Sequence, residues 1–160
     1  MELTWNDIAI HKSQYDAGTL LVCWRWLVDE SFSAILPTAL GDLFLEHRDG
    51  TIWFLDTCGG QMEQVAANYQ EFKILLGDDE CLRSWFATEL VADLLAAGLR
   101  RGSGECFSPS LPPIIGGKLE PSNFQACSLV AHHALLGPLH EKVRQLPPGT
   151  PISSIELEWG

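Results

Sequence analysis

The feature that most constrains the fold is a pair of short apolar runs on either side of an Asp-Gly turn. The runs occupy residues 42–46 and 51–56, and Asp49-Gly50 lies between them. Asp-Gly in this setting is a strong hairpin signal, because the turn needs a positive φ that glycine adopts without steric cost. The sequence therefore predicts an antiparallel hairpin with strands at 42–46 and 51–56.

Patterns elsewhere in the chain extend this hairpin into a larger sheet flanked by helices. Proline and glycine turns delimit the other strands, and apolar residues at helical spacing mark the helices. The predicted elements are a helix over 19–30 (or a strand over 20–26), strands at 32–36 and 61–66, helices at 67–76 and from Gly77-Asp78-Asp79 to a left-handed C-cap at Gly98, a strand at 124–127, a helix at 129–144 bent at Gly137-Pro138, and an edge strand or tail at 155–159.

Strands that follow one another between groups of helices are typical of the α+β class. A chain of 160 residues is long enough for one domain with a proper core. We therefore predict a single α+β domain over residues 1–160, with a central antiparallel β-meander packed against several α-helices. Residues 1–18 are predicted to form an N-terminal arm or a short helix.

Trp53 and Phe54 are neighbours on a predicted strand and must point to opposite faces of the sheet. One ring can pack under a helix, while the other must meet a second layer, a pocket or a partner. This is a modest indication of a binding function.

Residues 100–118 are rich in glycine and proline and predict a long connection, which in a compact domain is often functional or mobile. Arg100 and Arg101 beside Gly102-Ser103-Gly104 could meet an anion. The segment lacks the glycine and lysine spacing of a phosphate-binding loop, so a solvated loop is the favoured interpretation. Cys106 is placed in the same loop.

No set of residues has the spacing of a catalytic or metal site. On the predicted C-terminal helix, histidines are separated by one, seven and eight residues, whereas helical metal pairs converge at three or four. His133 is in register with apolar neighbours and is predicted to face the core. The other candidates, interpreted as turn and strand-end carboxylates and as an ordinary thiol, are Asp42, Glu46, Asp49, Asp56 and Cys106. We predict no catalytic residue, no metal and no cofactor.

Charge and cysteine content limit the partners. Twenty-one acidic against ten basic residues give a formal charge of −11, which repels nucleic acid and anionic membranes and speeds encounter with a basic partner. Five scattered cysteines without Cys-x-x-Cys argue against a disulfide framework and against a structural zinc site. The first residues lack the pattern of a signal peptide, and no apolar run reaches the roughly 18 residues of a membrane span, so we expect a cytoplasmic protein.

Several segments together resemble the C-terminal domain of type VI secretion DNase-immunity proteins over about residues 20–152. The segments are 24–28, 38–45, Asp49-Gly50-Thr51-Ile52-Trp53-Phe54-Leu55-Asp56-Thr57, 85–86, 89–91, 97–99, 104–106, Pro112-Pro113-Ile114-Ile115-Gly116-Gly117, Leu136-Gly137-Pro138-Leu139-His140 and 146–152. The resemblance implies an α+β domain and an antidote that binds a cognate toxin. It implies no catalytic residues.

These observations predict an interaction protein that neutralises a type VI-secreted antibacterial toxin with a basic surface, for which a DNase is the candidate. The predicted contact residues are Arg48, Asp49, Trp53, Arg100, Arg101, Glu105 and Phe107. The alternative is a small-molecule binding or sensing module with an aromatic-lined pocket, suggested by the six tryptophans and the long loop.

Overall fold

The computed structural model describes residues 2–150. Its helices and strands, in chain order, are α1 (Trp5–Ile8), α2 (Ala17–Leu20), β1 (Phe32–Pro37), β2 (Leu43–His47), β3 (Ile52–Asp56), β4 (Gln61–Ala66), α3 (Tyr69–Leu75), α4 (Asp79–Phe86), α5 (Thr88–Ala96), β5 (Glu105–Pro109), β6 (Phe124–Ser128) and α6 (Leu129–Arg144). Short 3-10 helices cover Lys12–Gln14, Leu21–Trp24, Pro113–Ile115 and Pro121–Asn123. The strand or tail predicted at 155–159 lies outside the described residues.

The predicted meander is confirmed. Strands β1 to β4 form an antiparallel sheet in the order β1-β2-β3-β4. Phe44 pairs with Phe54 across the central hairpin, and Gly50 in its turn has a φ of +93°. The α+β class predicted from the sequence is therefore the class of the structure.

The sheet separates two hydrophobic cores because alternate residues of each strand face opposite sides. On one face, Phe44 and Phe54 pack with the side chains of α3, α4 and α5. On the other face, Leu45 and Trp53 pack with Trp24 and with the apolar side of α6. Trp53 thus meets a second helical layer, one of the options predicted for this ring.

The long helix predicted from residue 79 to Gly98 is wrong in one respect. Ala87 has a φ of +47°, which breaks the segment into α4 and α5. The predicted C-cap is confirmed: Gly98 has a φ of +95°, and the amide of Leu99 bonds the carbonyl of Leu94 at 3.1 Å. Left-handed glycine at this position is how many helices satisfy their last carbonyls.

The N-terminal part of the chain agrees with the predictions only in part: the short helix offered for residues 1–18 is present as α1, but the next helix differs. The single helix predicted at 19–30 is instead α2 followed by a 3-10 helix that ends at Trp24. Within residues 1–18, Ile8 and Ile10 are buried, and Ala9 forms a bridge with Thr38 next to β1. This segment therefore packs on the sheet and contributes to both cores.

The loop predicted at 100–118 is wrong over β5, which pairs with β6 in a second, two-stranded sheet. Cys106, placed in that loop by the sequence, is fully buried in this strand. The predicted strand at 124–127 is confirmed as β6, and α6 continues as one helix through Pro138.

Candidate functional site

The predicted contact residues fall into two groups. The first is the turn between β2 and β3, where Arg48 and Asp49 are exposed and Trp53 is half-buried. Asp49 accepts hydrogen bonds from the amide and hydroxyl of Thr51 at 3.0 and 2.6 Å. These bonds lower the pKa of Asp49 to about 2, so its carboxylate is ionised at neutral pH.

The second group follows α5. Arg100 donates to the carbonyls of Leu95 and Leu99, at 2.9 and 2.7 Å. Arg101 donates to the carbonyls of Asn6 and Glu105, at 2.7 and 3.1 Å, and so ties this segment to α1. Both guanidinium groups are therefore used largely in holding backbone.

Phe107 is the one predicted contact residue that the structure removes from the surface. It is 0% exposed, because it lies on β5 and packs into the core that contains Phe44. Its ring instead stacks below the Arg101 guanidinium, 5.8 Å from the ring centre. Phe107 therefore stabilises the core and positions Arg101, and it cannot itself contact a partner in this structure.

A cleft of about 370 Å³ adjoins the second group. Arg100, Arg101, His11 and Asp7 contribute to its lining. It is the place where an anion could meet the two arginines. Because both side chains already donate to carbonyls, the cleft has limited capacity for a further acceptor.

An apolar loop lies between β5 and β6. Leu111, Ile114 and Leu119 expose 46%, 37% and 61% of their surface. The side-chain amide of Asn123 fixes the loop, since it donates to the carbonyls of Leu111 and Lys118 at 2.9 Å each and accepts from the amide of Leu111. We call residues 110–119 the apolar loop.

Part of the apolar loop lies within residues 100–118, which the sequence predicted as a long connection of a functional or mobile kind, but Leu119 lies beyond that stretch. The sequence signal for the apolar loop was four aliphatic residues in a segment otherwise rich in glycine and proline. Gly117 shows how closely the loop is folded, because a Cβ there would lie 1.6 Å from the Leu111 carbonyl oxygen.

A second cleft, of about 450 Å³, lies beside Trp26. Its walls include Trp26, Met62, His140 and Arg144. The indole of Trp26 is held by a 3.1 Å bond to the Gly137 carbonyl, and the Arg144 guanidinium lies 5.5 Å above its ring. This is an aromatic-lined concavity of the kind that the small-molecule alternative requires.

Beneath the hairpin, a chain of polar groups crosses the interior. The Asp42 carboxylate accepts bonds from the amide and hydroxyl of Thr57, both at 2.8 Å. The Thr57 hydroxyl lies 2.9 Å from Nε2 of His132, and Nδ1 of His132 lies 2.8 Å from the Ser108 hydroxyl. The chain joins β5 and α6 to the two ends of the hairpin.

The hydrogen bonds of this chain have a definite direction when Asp42 is ionised. Thr57 has one hydroxyl proton and gives it to Asp42, so its oxygen must accept from His132 Nε2–H. Nδ1 of His132 then accepts the Ser108 proton. Ser108 and His132 have the contact of a nucleophile and its base, but Ser108 is only 3% exposed and no substrate can reach it in this structure.

Burial perturbs the titrating members of the chain in opposite directions. It raises the pKa of Asp42 from 3.8 to about 7, and the neighbouring Asp56 carboxylate adds to the rise while the Thr57 bonds oppose it. It also holds the pKa of His132 well below its ordinary value, with His133 contributing. Both groups therefore favour their neutral forms inside the protein.

Two further histidines of α6 are buried. His133 faces the core as predicted and accepts a 2.8 Å bond from the Trp24 indole, while burial lowers its pKa to about 4. His140 Nε2 lies 2.8 Å from the Thr57 carbonyl. The sequence predicted a core position for His133 only. It missed His132, which is out of register with the apolar residues, and His140, although His140 shares a helix face with His133. Within residues 2–150, no group of three or more metal-ligating side chains is arranged to hold an ion.

The segment carrying β5, the apolar loop and most of α6 has known relatives. Residues 66–140 match the family described as T6SS immunity protein Tdi1, C-terminal. The resemblance drawn from the sequence is confirmed over these residues, and the matched family is one of type VI secretion immunity proteins. The match begins after the hairpin, so it does not include the residues at 24–57 on which part of the resemblance rested. No curated protein matches the chain.

A solved structure shares the fold. The crystal structure of Atu4351 from Agrobacterium tumefaciens superposes with a TM-score of 0.59, covering 82% of this chain and 70% of that one, at 14% identity. At this identity the likeness concerns the fold alone. Among residues 2–150, no helix is both long enough and apolar enough to cross a bilayer.

Proposed function

We propose that this protein is a cytoplasmic immunity protein that binds a type VI-secreted antibacterial toxin and blocks it. The observation that carries the proposal is the match of residues 66–140 to an immunity-protein family. The match includes β5, the apolar loop and β6, together with α6 as far as His140. We therefore place the toxin contact on this part of the molecule.

The charge of the chain supports a basic partner. At −11 the protein attracts a positively charged surface and repels nucleic acid. Nucleases carry such surfaces because they hold phosphate, so a DNase is a toxin that this charge fits. Charge of this kind raises the association rate more than the final affinity.

The apolar loop supports a direct contact. Three aliphatic side chains stay exposed on a segment that the Asn123 side chain braces with three hydrogen bonds. A rigid apolar projection loses little entropy when it is covered, which is a property of the residues that dominate protein interfaces. We propose that the apolar loop inserts into the toxin and that the net negative charge of the protein steers the approach.

Co-expression tests the proposal. A toxin encoded beside this gene should arrest growth when it is expressed alone. This protein, when co-expressed, should restore growth and co-purify with that toxin. Replacing Leu111 and Leu119 by serine should weaken binding by about tenfold or more, because each loses an apolar contact at the interface. Ile74→Ser is the matched control, since Ile74 is 76% exposed on α3 and lies outside the apolar loop.

Three outcomes are informative. Loss of rescue with the loop variant but not with the control supports the apolar loop as the contact. Rescue by all variants moves the contact elsewhere, with the Arg48-Asp49 turn and Arg100 next to be replaced. Absence of both rescue and co-purification with the wild type contradicts the immunity proposal.

The cleft beside Trp26 favours a second candidate, a small-molecule binding or sensing module. A cavity of about 450 Å³ is within the size range of ligand sites. A metabolite that raises the melting temperature of the wild type, but not that of Trp26→Ala, would support this function. A screen without any such shift would leave the toxin-binding proposal as the only one supported.

A further inference from the structure

Two cysteines face each other across the two-stranded sheet. Cys106 on β5 is the register partner of Cys127 on β6. The amide of Phe107 points away from β6 and donates to the Ala39 carbonyl at 2.7 Å. Phe107 and its register partner Ala126 are therefore a non-hydrogen-bonded pair. Hydrogen-bonded and non-hydrogen-bonded pairs alternate along an antiparallel ladder, so the adjacent Cys106–Cys127 pair is a hydrogen-bonded one.

A hydrogen-bonded pair places its Cα atoms about 5.5 Å apart. Disulfides most often join Cα atoms about 5.5–6 Å apart. Both cysteines are free thiols in this structure, with their side chains on the same face of the sheet. The backbone of β5 and β6 is thus already spaced for a bond between the two sulfur atoms.

The two thiols differ in access and in chemistry. Cys106 is fully buried, whereas Cys127 is half-buried and can be reached from solvent. A side-chain hydrogen bond from Cys106 lowers the pKa of Cys127 to about 7, with a further contribution from the Ser108 hydroxyl. The same bond, together with burial, raises the pKa of Cys106. Cys127 therefore has the character of an attacking thiolate and Cys106 that of its resolving partner.

We propose that Cys127 and Cys106 form a redox modification site, at which hydrogen peroxide converts the two thiols into a cross-strand disulfide.

The reaction balances with one peroxide. The Cys127 thiolate attacks one peroxide oxygen, the O–O bond breaks, and the released hydroxide takes up a proton to become water. Cys127 is now a sulfenic acid, oxidised by two electrons while the peroxide is reduced by two. The Cys106 sulfur then attacks the Cys127 sulfur, so that the S–S bond forms and the S–O bond breaks. The departing hydroxide takes the Cys106 proton and leaves as a second water.

The other cysteines serve as internal references. Burial raises the pKa of Cys23 and Cys58. Burial also raises the pKa of Cys81, with the Asp78 carboxylate contributing. All three therefore remain thiols at neutral pH and react slowly with peroxide. The proposed disulfide would close residues 107–126 into a loop, which contains the whole apolar loop, so oxidation would further restrict the segment that we assign to partner binding.

Peptide mapping tests the proposal on the full chain. The purified protein is exposed to hydrogen peroxide at neutral pH, the remaining thiols are blocked, and the peptides are analysed by mass. We expect a peptide pair joined through Cys106 and Cys127 that has lost two hydrogen atoms and separates with dithiothreitol. We also expect Cys127 to lose its free thiol faster than Cys81, on the order of tenfold.

Variants separate the two steps. In Cys106→Ala, Cys127 should be trapped as a sulfenic acid by dimedone, because the resolving thiol is missing. In Cys127→Ser, no disulfide and no trapped Cys106 should appear. Cys81→Ser is the matched control and should form the disulfide as the wild type does. Should Cys106→Ala fail to fold, the mapping of the wild type and of Cys81→Ser still decides.

The absence of a Cys106–Cys127 peptide from the oxidised wild type would overturn the proposal, and so would equal oxidation rates at Cys127 and Cys81. Disulfides found only between different molecules would overturn it as well. None of these results bears on toxin binding, because rescue by the reduced protein tests that proposal independently.

Discussion

Replacing Asp42 by asparagine should make the protein more stable at alkaline pH. Asp42 accepts two bonds from Thr57 through one oxygen, and an asparagine carbonyl can accept the same two. The substitution removes the charge that burial and the nearby Asp56 carboxylate disfavour. Asp42→Asn therefore keeps the hydrogen bonds of the polar chain and removes only the negative charge at residue 42.

The sign follows from the pKa difference between the folded and unfolded states. Burial raises the pKa of Asp42 from 3.8 to about 7 in the folded protein. Between these values the folded state holds a proton that the unfolded chain has released, so this contribution to stability is complete below pH 4 and is lost as pH rises through 7. Asparagine does not titrate, and the variant should lack this loss.

The rise in pKa to about 7 corresponds to about 4 kcal/mol for a fully desolvated carboxyl. Asp42 as a residue is only half-buried, so solvent reduces the effect, and we expect about 2 kcal/mol. The free energy of unfolding of Asp42→Asn, minus that of the wild type, should therefore grow by about 2 kcal/mol from about pH 4 to about pH 8.

Urea unfolding followed by tryptophan fluorescence at several pH values measures this difference. The buried histidines have lowered pKa values and destabilise the protein as pH falls, but they are present in both proteins and largely cancel in the comparison. Asp49→Asn is the matched control on the same hairpin. Its pKa is lowered to about 2, so its own contribution has the opposite sign. A difference for Asp42→Asn that stays flat from about pH 4 to about pH 8 would refute the reasoning.

Two core positions give further expectations. Gly137→Ala should lower the free energy of unfolding by about 2 kcal/mol, measured by thermal melting, because the new Cβ would lie 2.3 Å from the Cys23 carbonyl oxygen. Trp24→Phe should cost about 3 kcal/mol in urea unfolding, since it removes the indole that bonds His133 in a fully buried site. Trp26→Phe, at a half-buried ring, should cost about 1 kcal/mol and serves as its control.

The parts of the fold that could be predicted from the sequence are those set by neighbouring residues. The Asp49-Gly50 turn and the Gly98 cap each depend on a backbone conformation that glycine permits, and both were found where predicted. Ala87 was missed because a non-glycine residue with positive φ leaves no mark in the sequence. β5 was missed because its partner β6 lies beyond a loop whose glycines and prolines dominate the composition.

The polar chain could be predicted only in part. Asp42 directly precedes β2 and Thr57 directly follows β3, so the hairpin prediction already brings these two residues together. His132 and Ser108 reach them through tertiary packing of α6 and β5, which no local pattern specifies. The predicted contact residues divide in the same way: Arg48 and Asp49 of the turn are exposed, whereas Phe107 is buried because it lies in the strand that was missed.

The segment that matches the immunity family should not fold by itself. It supplies His132 and Ser108 to the polar chain, but the other two members, Asp42 and Thr57, lie outside residues 66–140. A buried histidine without its partner costs about 1–3 kcal/mol.

The apolar side of α6 would also lose the core it packs against. That core includes Trp24 and the strands β2 and β3, and in their absence several large side chains would become exposed at about 1.5–3 kcal/mol each. We expect a fragment of residues 66–140 to show rapid exchange of its amide hydrogens and no cooperative melting, whereas residues 2–150 melt cooperatively. A cooperative transition in the fragment would show that the hairpin is dispensable for the fold. If the fragment shows no cooperative transition, any toxin contact made by the apolar loop depends on the hairpin, because the hairpin holds α6 and β5 in place.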